Sequence, residues 1–289
     1  KNKIESLYLK ININKKMSFK SVDPEAYKET LKLYEKGDYK SYEISEIKKV
    51  TSKELKNLDF FYSPEFDIGE VKYRKTNNEF RLTNRLVNLH RGQRKLFMNE
   101  LLIFVTLLES ADQEARVVYA GAGGHDGGKH IPLLARLFKG LTFELYDPAG
   151  FGISDTSRIT THKEYFTDET ANSLKGKCDI FISDIRRDGE DEDMIREDMK
   201  FQENWLKIMN PTFGASLKFR TPFDSTEPIN YIKGRILLQP WSRPNSCEGR
   251  LLVVPEDYNT VEPYDVMRYE NICFYINMFL RSWATYSPP

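Results

Sequence analysis

Two amines and two carboxylates in this chain are suited to moving a proton: Lys95, Lys218, Asp184 and Glu248. Lys218 sits inside an apolar run, Ala215-Ser216-Leu217-Lys218-Phe219-Arg220, which reads as a strand. Asp184 closes another such run, and Glu248 opens a third. A hydroxyl is a poor nucleophile, and its proton must leave as it attacks. A lysine can take that proton only as the neutral amine, a form that burial and a neighbouring cation favour. Lys95 is the candidate cation, and Asp184 and Glu248 are placed to orient the amines. The plainer alternative is that Lys218 lies on an edge strand with its amine reaching outward to water.

The element best suited to hold a second reactant is Val117-Val118-Tyr119-Ala120-Gly121-Ala122-Gly123-Gly124-His125-Asp126-Gly127-Gly128. An apolar run ends in a glycine-rich loop, and a helical pattern follows over residues 131–138 with Pro132 in its first turn, where proline is tolerated. Strand, glycine turn and helix form the nucleotide-binding opening of a doubly wound sheet. The glycines would let a ligand lie against backbone N–H groups. On that reading, bulk at Gly121 should abolish ligand binding and leave the chain folded. An ordinary glycine-rich surface loop is the alternative. Residues 141–146 read as the next strand, ending at Asp147, where an acid commonly holds a ribose. Residues 178–184 read as a buried parallel strand ending in Ser183-Asp184. No Gly-Lys-Ser/Thr follows the glycines, which excludes a P-loop. S-adenosylmethionine remains as the ligand, with its ribose on Asp147.

The rest of the chain bounds these readings. A length of 289 residues allows one large domain or two small ones. With 43 basic and 43 acidic residues, no global polycation argument for nucleic acid is available, so a basic footprint must be local. Cys178, Cys247 and Cys273 lack ligand spacing, which argues for a reducing compartment and against a zinc site or disulfide framework. No apolar run is long enough to span a membrane, and the N-terminus lacks a secretory core. The expectation is a soluble intracellular protein that needs no metal.

Residues 1–80 read as a lysine-rich extension packing on the core, with a helix over 24–37 and an aromatic segment over 59–73. Residues 81–95 hold Arg81, Arg85, His90, Arg91, Arg94 and Lys95 and no acid. This is either a phosphate-tracking surface or a solvated helical face. From Gln93 a helix becomes apolar and places Lys95 near its start. After Asp184 come Arg186, an acidic loop over 188–193 and a helix over 194–209. Asn210-Pro211-Thr212-Phe213 is similar to an amino-methyltransferase motif, but it follows a helix instead of the strand ending in Asp184, so it reads as a helix stop. Strands over 235–240 and 250–254 fit an antiparallel hairpin, and residues 264–283 a final helix. The expected fold is α/β: a Rossmann-like S-adenosylmethionine-dependent methyltransferase domain over 81–289, its central sheet mostly parallel with a C-terminal antiparallel hairpin, flanked by helices.

The order Lys95-Asp184-Lys218-Glu248 resembles the tetrad of ribose 2′-O-methyltransferases. Several local motifs appear in register: Gly92-Gln93-Arg94-Lys95-Leu96, Val117-Val118-Tyr119-Ala120-Gly121, Ile182-Ser183-Asp184-Ile185-Arg186, Ser216-Leu217-Lys218-Phe219-Arg220-Thr221-Pro222-Phe223, Leu238-Gln239-Pro240 and Glu248-Gly249-Arg250-Leu251-Leu252. Over roughly residues 84–254 they resemble the poxvirus cap-specific mRNA 2′-O-methyltransferase family, whose members double as the small subunit of poly(A) polymerase. The resemblance implies transfer of a methyl group from S-adenosyl-L-methionine to capped mRNA, a poly(A) polymerase catalytic subunit as partner, and a viral, cytoplasmic protein packaged in the virion. It implies donor contacts from Gln93, Tyr119, Gly121, Gly123, Gly128, Asp147 and Asp184. It implies cap or RNA contacts from Arg186, Arg220, Phe223 and Asp224, beside the basic Arg85 and Arg91. Phe223 would supply one face of a cation–π stack on the cap base, with Tyr73 or Phe80 as candidates for the second face. Ala149 stands where the family has an arginine. Methylation of internal rRNA or tRNA ribose, and a purely RNA-binding subunit, remain the competing readings.

Overall fold

The computed structural model describes Pro64, Ile68 and residues 92–277, apart from 125–126, 188–190, 224, 240–241 and 243–245. The expected helix over 24–37, the basic Arg85 and Arg91, and Tyr73, Phe80 and Asp224 lie outside the described residues. In chain order the elements are α1 (Gly92–Leu107), β1 (Ala115–Ala120), α2 (Ile131–Leu137), β2 (Leu141–Tyr146), β3 (Ile159–His162), α3 (Asp168–Ser173), β4 (Ile180–Ser183), α4 (Glu192–Met209), β5 (Gly214–Phe219), β6 (Ile229–Ile232), β7 (Arg235–Leu238), β8 (Gly249–Val253), a 3₁₀ turn (Pro255–Asp257), β9 (Val261–Tyr264) and α5 (Val266–Tyr275).

Seven strands form one sheet in the order β3-β2-β1-β4-β5-β8-β7. β1 pairs parallel with β2 and β4, β2 with β3, and β4 with β5. β8 runs antiparallel to both β5 and β7 and is the one reversed strand of this sheet. This is the Rossmann-like, mostly parallel sheet with an antiparallel hairpin at one end that the sequence led us to expect. β6 and β9 form a separate antiparallel pair. Among the described residues no helix is long and apolar enough to cross a membrane.

Strand periodicity decides what lies on each face. Val118, Ala120, Phe181, Ala215, Leu217, Phe219, Leu251 and Val253 point into a core shared with α3, α4 and α5. Val117, Tyr119, Ile180 and Ile182 point the other way, against α1 and α2. A step of two residues keeps a side chain on its face. The same alternation therefore sets Asp184 with Ile182, and Lys218 opposite Leu217, on the α1 face. Glu248 and Arg250 fall with Leu252, which packs beside Ile103 of α1. The candidate chemistry is thus gathered on one face by a parity already written in the strands.

Several boundaries differ from expectation, each for a local reason. α4 starts at Glu192, because the Asp191 carboxylate accepts the Asp193 N–H and caps it, so the acidic stretch is partly helix. Tyr264 ends β9 and is not helical; Asp265 caps α5 by accepting from Arg268 N–H. Asn210 ends α4 in the left-handed conformation at φ 50°, as a helix stop does. β5 lies between β4 and β8, so Lys218 is on an interior strand and the edge-strand alternative is excluded.

Candidate active site at the strand ends

The sheet order reverses direction between β1 and β4, and ligands of open α/β sheets bind outside the carboxyl ends of the strands at such a point. Two sequence-predicted features meet there. Asp184, the first residue after β4, donates its N–H to the carbonyl of Ala120 at 2.9 Å, and Gly121 opens the loop after β1. At the β2 end, Asp147 accepts from Gly123 N–H through Oδ2 and from Ala149 N–H through Oδ1, both at 2.9 Å. Its carboxylate is half-buried.

The glycines have a more local reason than ligand approach. A Cβ on Gly121, whose φ is +79°, would come 2.8 Å from the carbonyl carbon of Asp184. One on Gly123 would come 2.7 Å from the Asp147 carboxylate. The loop is folded tightly against the β2 and β4 ends, and the chain itself fills the space. Gly121→Val would therefore press on the Asp184 backbone as well as obstruct the crevice, so a loss of ligand binding in that variant would not by itself report ligand contact. Gly128, at φ +75°, closes the loop two residues before the α2 N-cap His130.

The four candidate proton-handling residues meet in one cluster. Lys218 Nζ lies 2.8 Å from Asp184 Oδ1 and 3.5 Å from Glu248 Oε2. Lys95 Nζ, reaching in from the first turns of α1, lies 3.4 Å from Glu248 Oε1. The Lys218 and Asp184 side chains are each 12% exposed, so the cluster is enclosed but open at one side. Burial alone would push the Glu248 carboxyl up, but Lys218, Lys95, Arg250 and Arg186 outweigh it and hold it well below the usual carboxylate range. Asp184 is likewise held low, burial being overcome by Arg250 and Lys218.

Three supporting residues were not assigned a role from sequence. Arg250 is 2% exposed; its Nη2 lies 2.8 Å from the same Asp184 Oδ1 that holds Lys218, and its Nη1 donates to the Ser183 carbonyl at 3.1 Å. Burial opposes its charge, but Asp184, Tyr119 and Glu248 more than restore it. Strand alternation from Glu248 could have revealed it. Gln239 donates to Glu248 Oε1 at 3.2 Å. Gln202 of α4 accepts from the Lys218 N–H at 3.2 Å and donates to the Lys218 carbonyl. It serves the Lys218 peptide, which lies one residue beyond the last β4–β5 pair, Ser183↔Leu217. A lone glutamine within an amphipathic helix carries no sequence signal for that.

The remaining predicted residues divide. Tyr119 is 1% exposed and offers no side-chain surface to a ligand; burial, then Glu100 and Asp184, push its phenol well above its ordinary value. Arg186 is half-buried beside Glu248 and Asp184. Burial lowers its pKa more than those acids raise it. Arg220 pairs with Glu192, and its guanidinium carbon stands 4.0 Å over the Phe223 ring centre. Phe223 N–H also donates to Glu192, at 3.4 Å. Gln93 lies in the first turn of α1.

A family model described as "Poly A polymerase regulatory subunit" matches residues 56–287. No curated protein sequence matches the chain. Among solved structures, one reported as "The structure of bluetongue virus VP4 reveals a multifunctional RNA-capping production-line" aligns over 71% of this chain at 15% identity and a TM-score of 0.49. The chain spans 33% of that protein's length. Those values are too low to transfer anything from that protein to this chain. The family match covers most of the sequence, and the chain belongs to the poly(A) polymerase regulatory subunit family.

Proposed function

We propose that the chain is a ribose 2′-O-methyltransferase that uses S-adenosylmethionine and acts on a 5′-terminal nucleotide of capped mRNA. The observation that carries this reading is the Lys218 amine, fixed between Asp184 at 2.8 Å and Glu248 at 3.5 Å beside the switch-point crevice. The groups around the crevice fit the donor. Asp147 can accept ribose hydroxyls on its remaining lone pairs, the backbone of Gly121, Gly123 and Gly128 lines the loop, and the Asp184 carboxylate suits a positive centre. Gln93 and Tyr119 complete the proposed donor set, Tyr119 through the packing beneath the loop. When bound, the donor supplies a methyl group on a sulfonium.

Lys218 Nζ is the atom proposed to receive the 2′-hydroxyl proton. Asp184 and Glu248 hold that amine in place. Arg250 keeps a permanent positive charge on the same Asp184 oxygen. Lys95 and Gln239 hold Glu248. Arg186 lies beside the cluster and is proposed to meet an RNA phosphate, as are Arg85 and Arg91. Phe223 with Arg220 and Asp224 is proposed to meet the cap base.

A second role is favoured by the family description, association with a poly(A) polymerase catalytic subunit. It does not compete with the first, since one chain can carry both roles. A viral, cytoplasmic setting is part of the same proposal. The experiment that tests the reading is methyl transfer from labelled S-adenosylmethionine to short RNAs with and without a 7-methylguanosine cap. We expect label in the 2′-O position of capped RNA. Equal labelling of uncapped RNA would point to internal RNA ribose instead, and no labelling of either would overturn the enzyme.

A further inference from the structure

A buried pair outside the cluster has the geometry of a brace. Glu100 of α1 and His130, the N-cap residue of α2, face each other with Nε2 and Oε2 3.0 Å apart, at 3% and 6% side-chain exposure. His130 makes no side-chain cap bond to α2. Its imidazole reaches α1 instead, while its carbonyl accepts the Leu133 and Leu134 N–H groups. The preceding loop is tied to the same turn, since Ile131 N–H donates to the Gly128 carbonyl at 3.0 Å.

Glu100 shares α1 with Lys95, and five residues of helix are a rise of about 7.5 Å. Whatever fixes Glu100 therefore fixes Lys95, which contacts Glu248 at 3.4 Å. Tyr119, 1% exposed, lies on the α1 face of the sheet, and Glu100, Asp184 and Arg250 all act on its phenol. The contacts run from His130 to Glu100, along α1 to Lys95, and from Lys95 through Glu248 to Lys218, Asp184 and Arg250. A buried polar pair of this kind is weak evidence for stability, because apolar residues of similar volume often serve as well; its best-attested use is to fix register.

We propose that Glu100 and His130 are positioning residues whose contact sets α1, and with it Lys95, against the glycine loop, so that the donor site and the proton-handling cluster are held in one geometry. This rests on the methyl-transfer reading above. Neither residue is proposed to touch a reactant.

The test replaces the pair by apolar residues, Glu100→Leu with His130→Leu, and compares urea unfolding, calorimetric binding of S-adenosylhomocysteine and methyl transfer to capped RNA. We expect a parental unfolding midpoint, weakened binding of S-adenosylhomocysteine, an unchanged KM for RNA, and turnover lowered by up to about 10²-fold, as a displacement of about 1 Å far from the chemistry can cause. Glu100→Gln, which keeps the shape and an acceptor, should restore most of that turnover. A folded double variant with parental affinity and turnover would overturn the proposal. Should the double variant unfold, His130→Asn decides in its place, because it keeps a donor with a shorter reach. The same loss of turnover supports the brace, and parental turnover and affinity overturn it. A parental chain that binds no S-adenosylhomocysteine and transfers no methyl overturns the underlying reading, and this inference with it.

Discussion

The Lys218 cluster and the Phe223 rim are joined by a few residues of chain, yet they are built on opposite plans. In the cluster each charge meets an opposite charge from a different element: Asp184 from the β4 end, Lys218 from β5, Glu248 and Arg250 from the start of β8, Lys95 from α1. Asp184 is the member that two buried cations, Lys218 and Arg250, share, so its loss leaves charge buried without its counter-charge. At the rim, Arg220 and Phe223 are neighbours in sequence that contact each other; both also contact Glu192, and Phe223 packs against the core on the α4 side. A base can stack on the ring face under Arg220 only after the guanidinium leaves. The difference teaches that the charged cluster exists only because the fold brings four elements together, whereas the rim contact is local in sequence.

The comparison breaks most visibly at Asp184. Asp184→Asn leaves Lys218 and Arg250 as buried cations without their shared anion, which should cost about 3–5 kcal/mol of stability. Urea unfolding measures this, and a change well under 1 kcal/mol would mean that the cluster is loose after all. At the rim, Phe223→Ala should remove a stacking face worth about 1–3 kcal/mol of cap affinity, with little change in the unfolding midpoint. Preference for methylated over unmethylated caps, compared by competition, is the readout. Parental preference in the variant would reduce Phe223 to packing.

A smaller effect follows from pH. The Asp184 and Glu248 carboxyls are held below their ordinary values, which are about 3.9 and 4.3 in an unfolded chain. A depressed carboxylate contributes stability that is fully present above the unfolded value and is lost as pH falls through the folded one. Stability should therefore decline below about pH 4, and Glu248→Gln should flatten that decline while lowering stability at neutral pH. The smallest effect belongs to Arg85 and Arg91, which lie outside the described residues. Replacing both with alanine should weaken RNA binding to all sequences alike and reduce the salt slope by about 0.7 per lost single-strand phosphate contact. An unchanged slope would assign this run to an ordinary solvated face.

What the sequence revealed follows the same division. Strands buried on both faces announce themselves as apolar runs, so β1, β2, β4, β5 and the β7–β8 hairpin were legible, and so were the residues at their ends. β3 was not: Ile-Thr-Thr-His buries one residue fully and pairs on one side only. α3, with six residues, is too short to show a helical period. β6 and β9 are four-residue strands with proline and acid in one of them, a pattern that reads as loop. In the site, Lys95, Asp184, Lys218 and Glu248 could be picked out by position within apolar patterns. Arg250 could have been added by alternation from Glu248, but Gln239, Gln202 and the Glu100–His130 pair could not, because each acts across an inter-element contact that only the fold creates. The glycine loop was located correctly but for an incomplete reason: its small residues are demanded first by the Asp184 and Asp147 backbone and side chain packed against them.

The central claim is that Lys218 Nζ takes the hydroxyl proton, and Lys218→Arg tests it most directly. Arginine keeps the charge and the pairing with Asp184 and Glu248, but it does not give up its proton at working pH. We expect the variant to fold, to bind S-adenosylhomocysteine in a calorimeter with parental affinity, and to lose methyl transfer to capped RNA by about 10²–10⁴-fold, the contribution of a general base. Methyl transfer at near-parental rates would contradict the account and leave Lys218 as one member of a structural ion cluster.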